Sequence, residues 1–165
     1  MLDKRFKMWY NVFINTKILI KVKNMQIENY NKPIIIPFEP NNKGRIMLKI
    51  GVLTKQKSFI SIEFKLATGS AYTILSLKDL KYLGYTEEFL SKCDIIYPEG
   101  ISETYRLGYI ENLSLKFENM EIKNYTVFFS FNDNLCSMLG SDILKYFNIK
   151  VDNDLSELTL ILRNK

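Results

Sequence analysis

The chain has 165 residues, of which 47% are hydrophobic and 25% are charged, a composition typical of one globular domain with its own core. It contains no histidine, which excludes Ser-His-Asp and Cys-His nucleophile systems, imidazole bases and histidine-containing metal sites. The net charge is +5, but residues 1–30 account for most of it, with six basic and two acidic side chains. Because the rest of the chain is nearly neutral, we expect no general nucleic-acid-binding surface. The two cysteines, Cys93 and Cys136, lie far apart and form no ligand cluster, so we expect no metal, and we expect no cofactor.

The N-terminal segment, residues 1–30, is basic and alternates in hydropathy. Even positions from Val12 to Val22 are apolar apart from Thr16, while lysines recur at odd positions, which predicts a strand with one basic face. Lysines also interrupt every apolar run, so we expect no signal peptide, no membrane-spanning helix and a cytoplasmic location. The breakers in residues 29–33 place a boundary near residue 30, between this extension and a domain over residues 31–165.

Three interpretations of the extension stay open. It can be a permanent extra strand with a solvated lysine face, or a segment that docks on nucleic acid or a membrane. It can also be a pro-segment that the domain itself removes. The alternative to such processing is that Met25 is the true start of the protein.

Two strands with period-two alternation follow, over residues 46–52 and 60–66. The second strand runs directly into Ala67-Thr68-Gly69-Ser70, and Thr73 to Leu75 predicts another short strand. Two short helices come next, the first capped by Ser76 and the second by Thr86.

The C-terminal half predicts further strands and one more helical turn. A hairpin is expected over Ile95 to Leu115, and strands over residues 113–117 and 125–131. Met138-Leu139-Gly140 is followed by a short helix that contains Asp142, and the chain closes with two strands, 149–152 and 158–162. Many short strands and few helices predict an all-β, barrel-like domain.

Two separated pieces carry the strongest pattern. The first is an apolar strand that leads into x-Thr-Gly-Ser, and the second is apolar-apolar-Gly-x-Asp-Ile-Leu about seventy residues later. Taken together, with a hairpin between them, they resemble the retropepsin-like aspartic proteases over residues 34–162. The resemblance implies a closed acid-protease barrel with one or two short helices, an aspartic endopeptidase activity and a homodimer.

The resemblance also implies roles for particular residues. Ala67 occupies the position of the catalytic aspartate, Thr68 would hydrogen-bond across the dimer axis, Gly69 would allow a tight backbone turn and Ser70 would reach the outer carboxylate oxygen. The active-site loop would be supported by Met138, Leu139, Gly140 and Asp142. The flap that closes over the substrate would be formed by Pro98, Glu99, Gly100, Ile101, Ser102, Glu103 and Thr104.

Alanine at position 67 is the departure from the family pattern. A methyl group can neither polarise water nor hold the proton that two catalytic carboxylates share. The first hypothesis is therefore an inactive form of a dimeric protease that cuts extended apolar peptides, with the alanine introduced into the chain. The alternative is a natural pseudoprotease that binds peptides without cutting them.

Overall fold

The computed structural model describes residues 25–27, 32–40, 44–96, 106–132 and 134–163, and the statements below refer to these residues. They form eleven strands and three short helices. The strands are β1 (Gln26–Ile27), β2 (Ile34–Pro40), β3 (Ile46–Leu53), β4 (Phe59–Leu66), β5 (Ile74–Leu75), β6 (Ile95–Ile96), β7 (Leu107–Phe117), β8 (Met120–Ser130), β9 (Met138–Leu139), β10 (Phe147–Asp152) and β11 (Glu157–Leu162). The helices are α1 (Leu77–Tyr82), α2 (Glu87–Ser91) and α3 (Ser141–Leu144).

Six of these strands close a barrel, in the order β3–β4–β9–β5–β8–β7 and back to β3. Most neighbours are antiparallel, but β4 pairs parallel with β9 and β5 pairs parallel with β8. Three strands extend the sheet beyond the ring, because β2 pairs with β3, β11 pairs with β2, and β10 pairs with β11. The prediction of an all-β, barrel-like domain with few short helices is confirmed.

Period-two alternation explains why β3 and β4 line the barrel. Leu48, Ile50 and Val52 are fully buried, whereas the side chain of Lys49 between them is exposed. The registered pair of Leu48 and Phe64 places two buried side chains on the same inner face. Each strand therefore turns its apolar side to one core and its polar side to solvent.

The two predicted helix starts are confirmed by their capping bonds. The Ser76 side chain accepts a hydrogen bond from the backbone N–H of Asp79, and Thr86 accepts one from that of Phe89. Gly84 follows the first helix with φ +91°, a conformation that favours glycine because other residues are strained there.

Some strand boundaries differ from the predictions. The second arm of the hairpin and the strand at 113–117 form one strand, β7, which continues through two register shifts near Leu113. β8 begins at Met120, not at Tyr125. Strand β2, which spans residues 34–40 and includes Pro37, was not among the strands predicted above. Pro37 is tolerated because β2 changes partner there, from β11 to β3, so that its missing N–H interrupts no continuous ladder.

The N-terminal residues that the structure describes pair with the barrel. Gln26 and Ile27 lie beside Lys123 and Ile122 of β8, and Met25 and Ile27 pack against the core. Residues 1–24, which carry the predicted basic strand, lie outside the described residues. Within the described part of the chain, none of the helices has the length and apolar character needed to cross a membrane.

We predict that Leu115→Ala destabilises the fold by about 2–5 kcal/mol, because Leu115 is fully buried on β7 where this strand closes the ring against β3. Leu155→Ala is the matched control, since Leu155 is 67% exposed and its truncation should change the free energy of unfolding by less than about 0.5 kcal/mol. Urea unfolding measures both values. Equal losses for the two variants would contradict this placement of the core.

Candidate active site

The segment Ala67 to Ser70 leaves the end of β4 and is fixed by the backbone of β9. The N–H of Ala67 donates to the carbonyl of Leu139 at 3.0 Å, and the N–H of Lys65 donates to the carbonyl of Ser137 at 2.9 Å. The N–H of Ser70 then donates to the carbonyl of Ala67 at 2.9 Å and closes a tight turn. Both backbone polar groups of residue 67 are therefore engaged, so its position is determined by the main chain.

A second set of bonds ties the far end of this loop to the start of α3. The N–H of Ser141 donates to the carbonyl of Ser70 at 2.8 Å, and the N–H of Gly140 donates to the hydroxyl of Thr73 at 2.9 Å. The structure thus brings together the two pieces that lie about seventy residues apart in the sequence. Met138, Leu139 and Gly140 lie beside the loop, as the resemblance implied.

Gly140 is required here because of the close approach of another backbone segment. A Cβ atom at this position would lie 2.3 Å from both the carbonyl carbon and the carbonyl oxygen of Tyr72, and 2.8 Å from the nitrogen of Thr73. Real Cβ atoms do not approach backbone atoms so closely, and no side chain could move aside to relieve the clash. Any other residue would push the two halves of the site apart.

Asp142 lies behind the loop and accepts several hydrogen bonds. Thr73 donates to it twice, from its N–H to Oδ2 at 2.9 Å and from its hydroxyl to Oδ1 at 2.8 Å. The hydroxyl of Tyr125 donates to Oδ2, and the N–H of Ile143 donates to Oδ1 at 2.9 Å. This carboxylate therefore links three elements, namely the segment before β5, strand β8 and the start of α3.

Burial affects both ionisable groups of this cluster. It raises the pKa of Asp142 above its ordinary value, and the bonds from Thr73, Tyr125 and Ile143 oppose that rise. Burial and the adjacent Asp142 carboxylate also raise the pKa of Tyr125 well above its usual range, so its hydroxyl keeps the proton that it donates. The cluster has a structural role in holding the loop.

A second buried network fixes the start of β9. The hydroxyl of Ser137 donates to Oδ2 of Asp79 at 2.5 Å and accepts a bond from the N–H of Ser76 at 2.9 Å. The hydroxyl of Ser76 donates to the same Asp79 oxygen at 2.7 Å. The first turn of α1 is thereby bonded to the residue that immediately precedes Met138.

Sequence reasoning missed Thr73, Tyr125 and Ser137 as members of the site. Thr73 and Ser137 had a local signal, since Ser137 directly precedes one recognised piece and Thr73 lies three residues after the other. The structure buries both. Tyr125 had none, because it reaches Asp142 only through the pairing of β8 with β5.

The predicted site residues differ in exposure and contacts. Ala67 and Ser70 are partly exposed, whereas Thr68 and Gly69 are exposed. Gly69 was predicted to allow a tight backbone turn, but nothing within one chain requires glycine at this position. Its φ is not positive, and a Cβ atom there would meet no atom within 4 Å. The hydroxyl of Ser70 donates to the carbonyl of Tyr72 at 2.7 Å, so this bond stabilises the loop itself. The predicted flap residues 98–104 lie outside the described residues.

We predict that Gly140→Ala lowers stability by several kcal/mol or prevents folding, because its methyl group would overlap the backbone of Tyr72. Gly69→Ala is the matched control and should unfold within about 1 kcal/mol of the parent chain, since the space around it is open. Thermal and urea unfolding of the two variants provide the comparison. The described packing would be contradicted if Gly69→Ala were the more damaging change.

We predict a specific pH dependence for Asp142→Asn. Because the pKa of Asp142 is raised above its reference value of 3.8, its contribution to stability is fully present below that value. The contribution is lost as the pH rises through the higher folded-state pKa. The parent chain should therefore lose stability relative to Asp142→Asn over that rise, as measured by urea unfolding at a series of pH values. The account would be contradicted if the stability difference between the two chains did not change with pH, or if the parent chain gained stability relative to Asp142→Asn as the pH rose.

Among solved structures, the chain is similar to a retropepsin-like aspartic protease from Rickettsia conorii, with a TM-score of 0.57 and 22% sequence identity over 83% of this chain and 93% of that chain. A second similar structure is the retroviral protease-like domain of Ddi1 from Leishmania major, with a TM-score of 0.49 and 14% identity over 72% of this chain and 94% of that chain. No protein-family model matches the chain. No curated protein matches it either. The closed barrel and the similarity to the Rickettsia structure show that the chain has a retropepsin-like fold.

Proposed function

We propose that the chain is the inactive form of an aspartic endopeptidase, with alanine in the place of the catalytic aspartate. The observation that carries this proposal is the backbone geometry around Ala67. Its N–H is bonded to Leu139 of β9, its carbonyl accepts from Ser70, and the residue stays partly exposed. The main chain therefore holds the side chain of residue 67 in a fixed position at the surface of the loop, and only the carboxylate of the family pattern is missing there.

Two carboxylates at this position would supply the chemistry. One takes a proton from a water molecule while the other, which holds the shared proton, donates it to the oxygen of the peptide carbonyl. The water oxygen then bonds to the carbonyl carbon, and collapse of this intermediate breaks the C–N bond as a proton passes to the departing nitrogen. Two carboxylates so close cannot both ionise, which keeps one of them protonated. Alanine supplies neither function, so the chain as it stands should not cleave.

The second carboxylate has to come from a second copy of the chain. Each chain has one such loop, so a two-carboxylate site requires a symmetric homodimer with the two loops facing each other across the axis. The exposure of Thr68 and Gly69 supports this arrangement, because exposed residues of the loop can contact the same loop of a second copy.

The extension of the sheet beyond the barrel is the surface that fits the partner copy. It consists of β2, β11 and β10, and one of its faces carries the exposed side chains of Ile35 and Ile161, which are 51% and 45% exposed. Ile149 and Val151 on β10, which are 36% and 38% exposed, pair with Leu160 and Leu158 and therefore lie on the opposite face. Exposed apolar side chains on neighbouring strands are typical of an interaction surface.

The substrate of the active form would be an extended peptide with apolar side chains near the cut. Strand-like peptides are recognised through backbone pairing and side-chain pockets, both of which survive the loss of a catalytic carboxylate. The flap assigned to residues 98–104 and the self-removal of the extension, residues 1–30, stay predictions. The retained scaffold around Ala67 is compatible with a second candidate function, a natural pseudoprotease that binds such peptides without cutting them.

We predict that Ala67→Asp produces a protease. The restored chain should cleave members of a library of extended apolar peptides at mildly acidic to neutral pH, whereas the parent chain should not. Ala67→Asn is the matched control, because asparagine has nearly the size of aspartate but cannot exchange the proton. Mass spectrometry of the digested peptides gives the readout. No cleavage by folded Ala67→Asp at any of these pH values would contradict the protease proposal and leave peptide binding as the function.

A further inference from the structure

A row of side chains crosses four strands on the outer side of the barrel, starting beside the site and ending next to a fifth strand. The register pairs Met138 of β9 with Ile74 of β5, Ile74 with Phe128 of β8, and Phe128 with Tyr109 of β7. Because directly paired residues point to the same face of a sheet, these side chains form a continuous line. The row ends at Asp94, just before β6, where Tyr109 donates a hydrogen bond to Oδ2 of Asp94 at 2.7 Å.

The four apolar members of this row belong to a separate hydrophobic cluster, distinct from the core inside the barrel. Ile74, Leu107 and Phe128 are its buried members, between 2% and 7% exposed. Its partly exposed members, packed against them, are Tyr72, Ile96, Tyr109 and Met138. A molecule that lies on this face would therefore contact the second group.

Two tyrosine rings cover Phe128 and form the centre of this face. The centroid of the Tyr72 ring lies 4.5 Å from that of the Phe128 ring. The Tyr109 ring packs edge-to-face against Phe128, with the two centroids 6.3 Å apart. Aromatic rings offer large, rigid contact areas at a low entropic cost, which suits them to binding apolar side chains.

The face is continuous with the candidate active site at one end. Met138 directly precedes Leu139, whose carbonyl holds Ala67, and Tyr72 accepts the hydrogen bond from the Ser70 hydroxyl. At the other end, Ile96 and Leu107 are the paired residues at the base of the hairpin whose tip was predicted to be the flap. A peptide that enters the site along this direction must pass over the row.

The far end of the row is acidic. Asp94 is exposed, and the hydrogen bond from Tyr109 fixes its carboxylate at the edge of the apolar face. Arg106, which directly precedes β7, stacks on Phe131, 4.8 Å from that ring. The row therefore presents apolar contact area next to the site and a negative charge farther out.

The geometry points to a substrate preference: we propose that this site takes peptides with a large apolar residue near the cut and a lysine or arginine about four residues away. Four strand spacings of about 4.8 Å separate Met138 from Asp94, which corresponds to about five or six residues of extended peptide. The long side chain of a basic residue spans part of that distance. This inference rests on the proposed peptide site, but it concerns binding and does not require cleavage.

The test uses the Ala67 chain itself, so that binding is measured without catalysis. The probe is a fluorescein-labelled peptide of residues 2–14 of this chain, in which Arg5 lies four residues before Trp9. A second peptide carries glutamine in place of Lys4, Arg5 and Lys7. Fluorescence anisotropy at low salt should give a Kd about three- to fivefold lower for the basic peptide, the size expected for an exposed ion pair.

Variants of the row separate its two parts. Asp94→Asn should remove the difference between the two peptides, and Tyr109→Phe should reduce it, because the carboxylate then loses the hydroxyl that orients it. Tyr72→Ala should weaken both peptides by about tenfold, because it removes apolar contact. Glu63→Gln, which changes an exposed carboxylate on β4, is the matched control and should leave both affinities unchanged.

Three results would overturn the inference: no binding of either peptide, equal affinity for both, or a difference that persists in folded Asp94→Asn. Cleavage by Ala67→Asp is scored separately on the apolar library. A restored chain that cuts but shows no basic preference contradicts the inference alone. Basic-selective binding without cleavage by the restored chain contradicts the protease proposal alone.

Discussion

The backbone pairing of a two-residue strand, Met138–Leu139, is the interaction on which the rest of the structure depends. This strand lies between β4 and β5, so the barrel closes only through it. The carbonyl of its second residue, Leu139, also holds the N–H of Ala67. The same strand pairing therefore closes the barrel and positions residue 67. Gly140, directly after this strand, has to be glycine because the backbone of Tyr72 lies so close to it.

Buried polar bonds secure this arrangement from both sides. Thr73 is the central residue on one side, because its hydroxyl accepts from the N–H of Gly140 and donates to Asp142. On the other side, Ser137 accepts from the N–H of Ser76 and donates to Asp79. Each hydroxyl uses both its donor and its acceptor capacity, which limits the cost of burying it. The loop is thus rigid before any partner or peptide arrives.

The sequence was informative wherever the structure is local. The alternation in β3 and β4 fixed which side chains enter the core, and Ser76 and Thr86 marked the two helix starts. The two recognised motifs also meet in the structure, where Ala67 is bonded to Leu139 and Ser70 to Ser141. Gly140 is the clearest case, since the close approach of Tyr72 leaves no room for a side chain.

The sequence was less informative where the structure depends on long-range pairing. The continuous strand β7 was split in the prediction, because its two register shifts break the simple alternation near Leu113. Tyr125 could not be assigned to the site, since only the pairing of β8 with β5 brings it to Asp142. The outer row from Met138 to Asp94 is likewise a product of register across four strands, and no local pattern reveals it.

We propose that one chain holds half of an active site. Mixing the Ala67→Asp chain with the Ala67 chain at constant total concentration, after unfolding and refolding them together, tests it directly. If each active site needs an aspartate from both copies, cleavage falls with the square of the restored fraction, to about one quarter of its maximum in an equal mixture. A linear fall, to about one half, would show that a single restored chain suffices and would contradict the account.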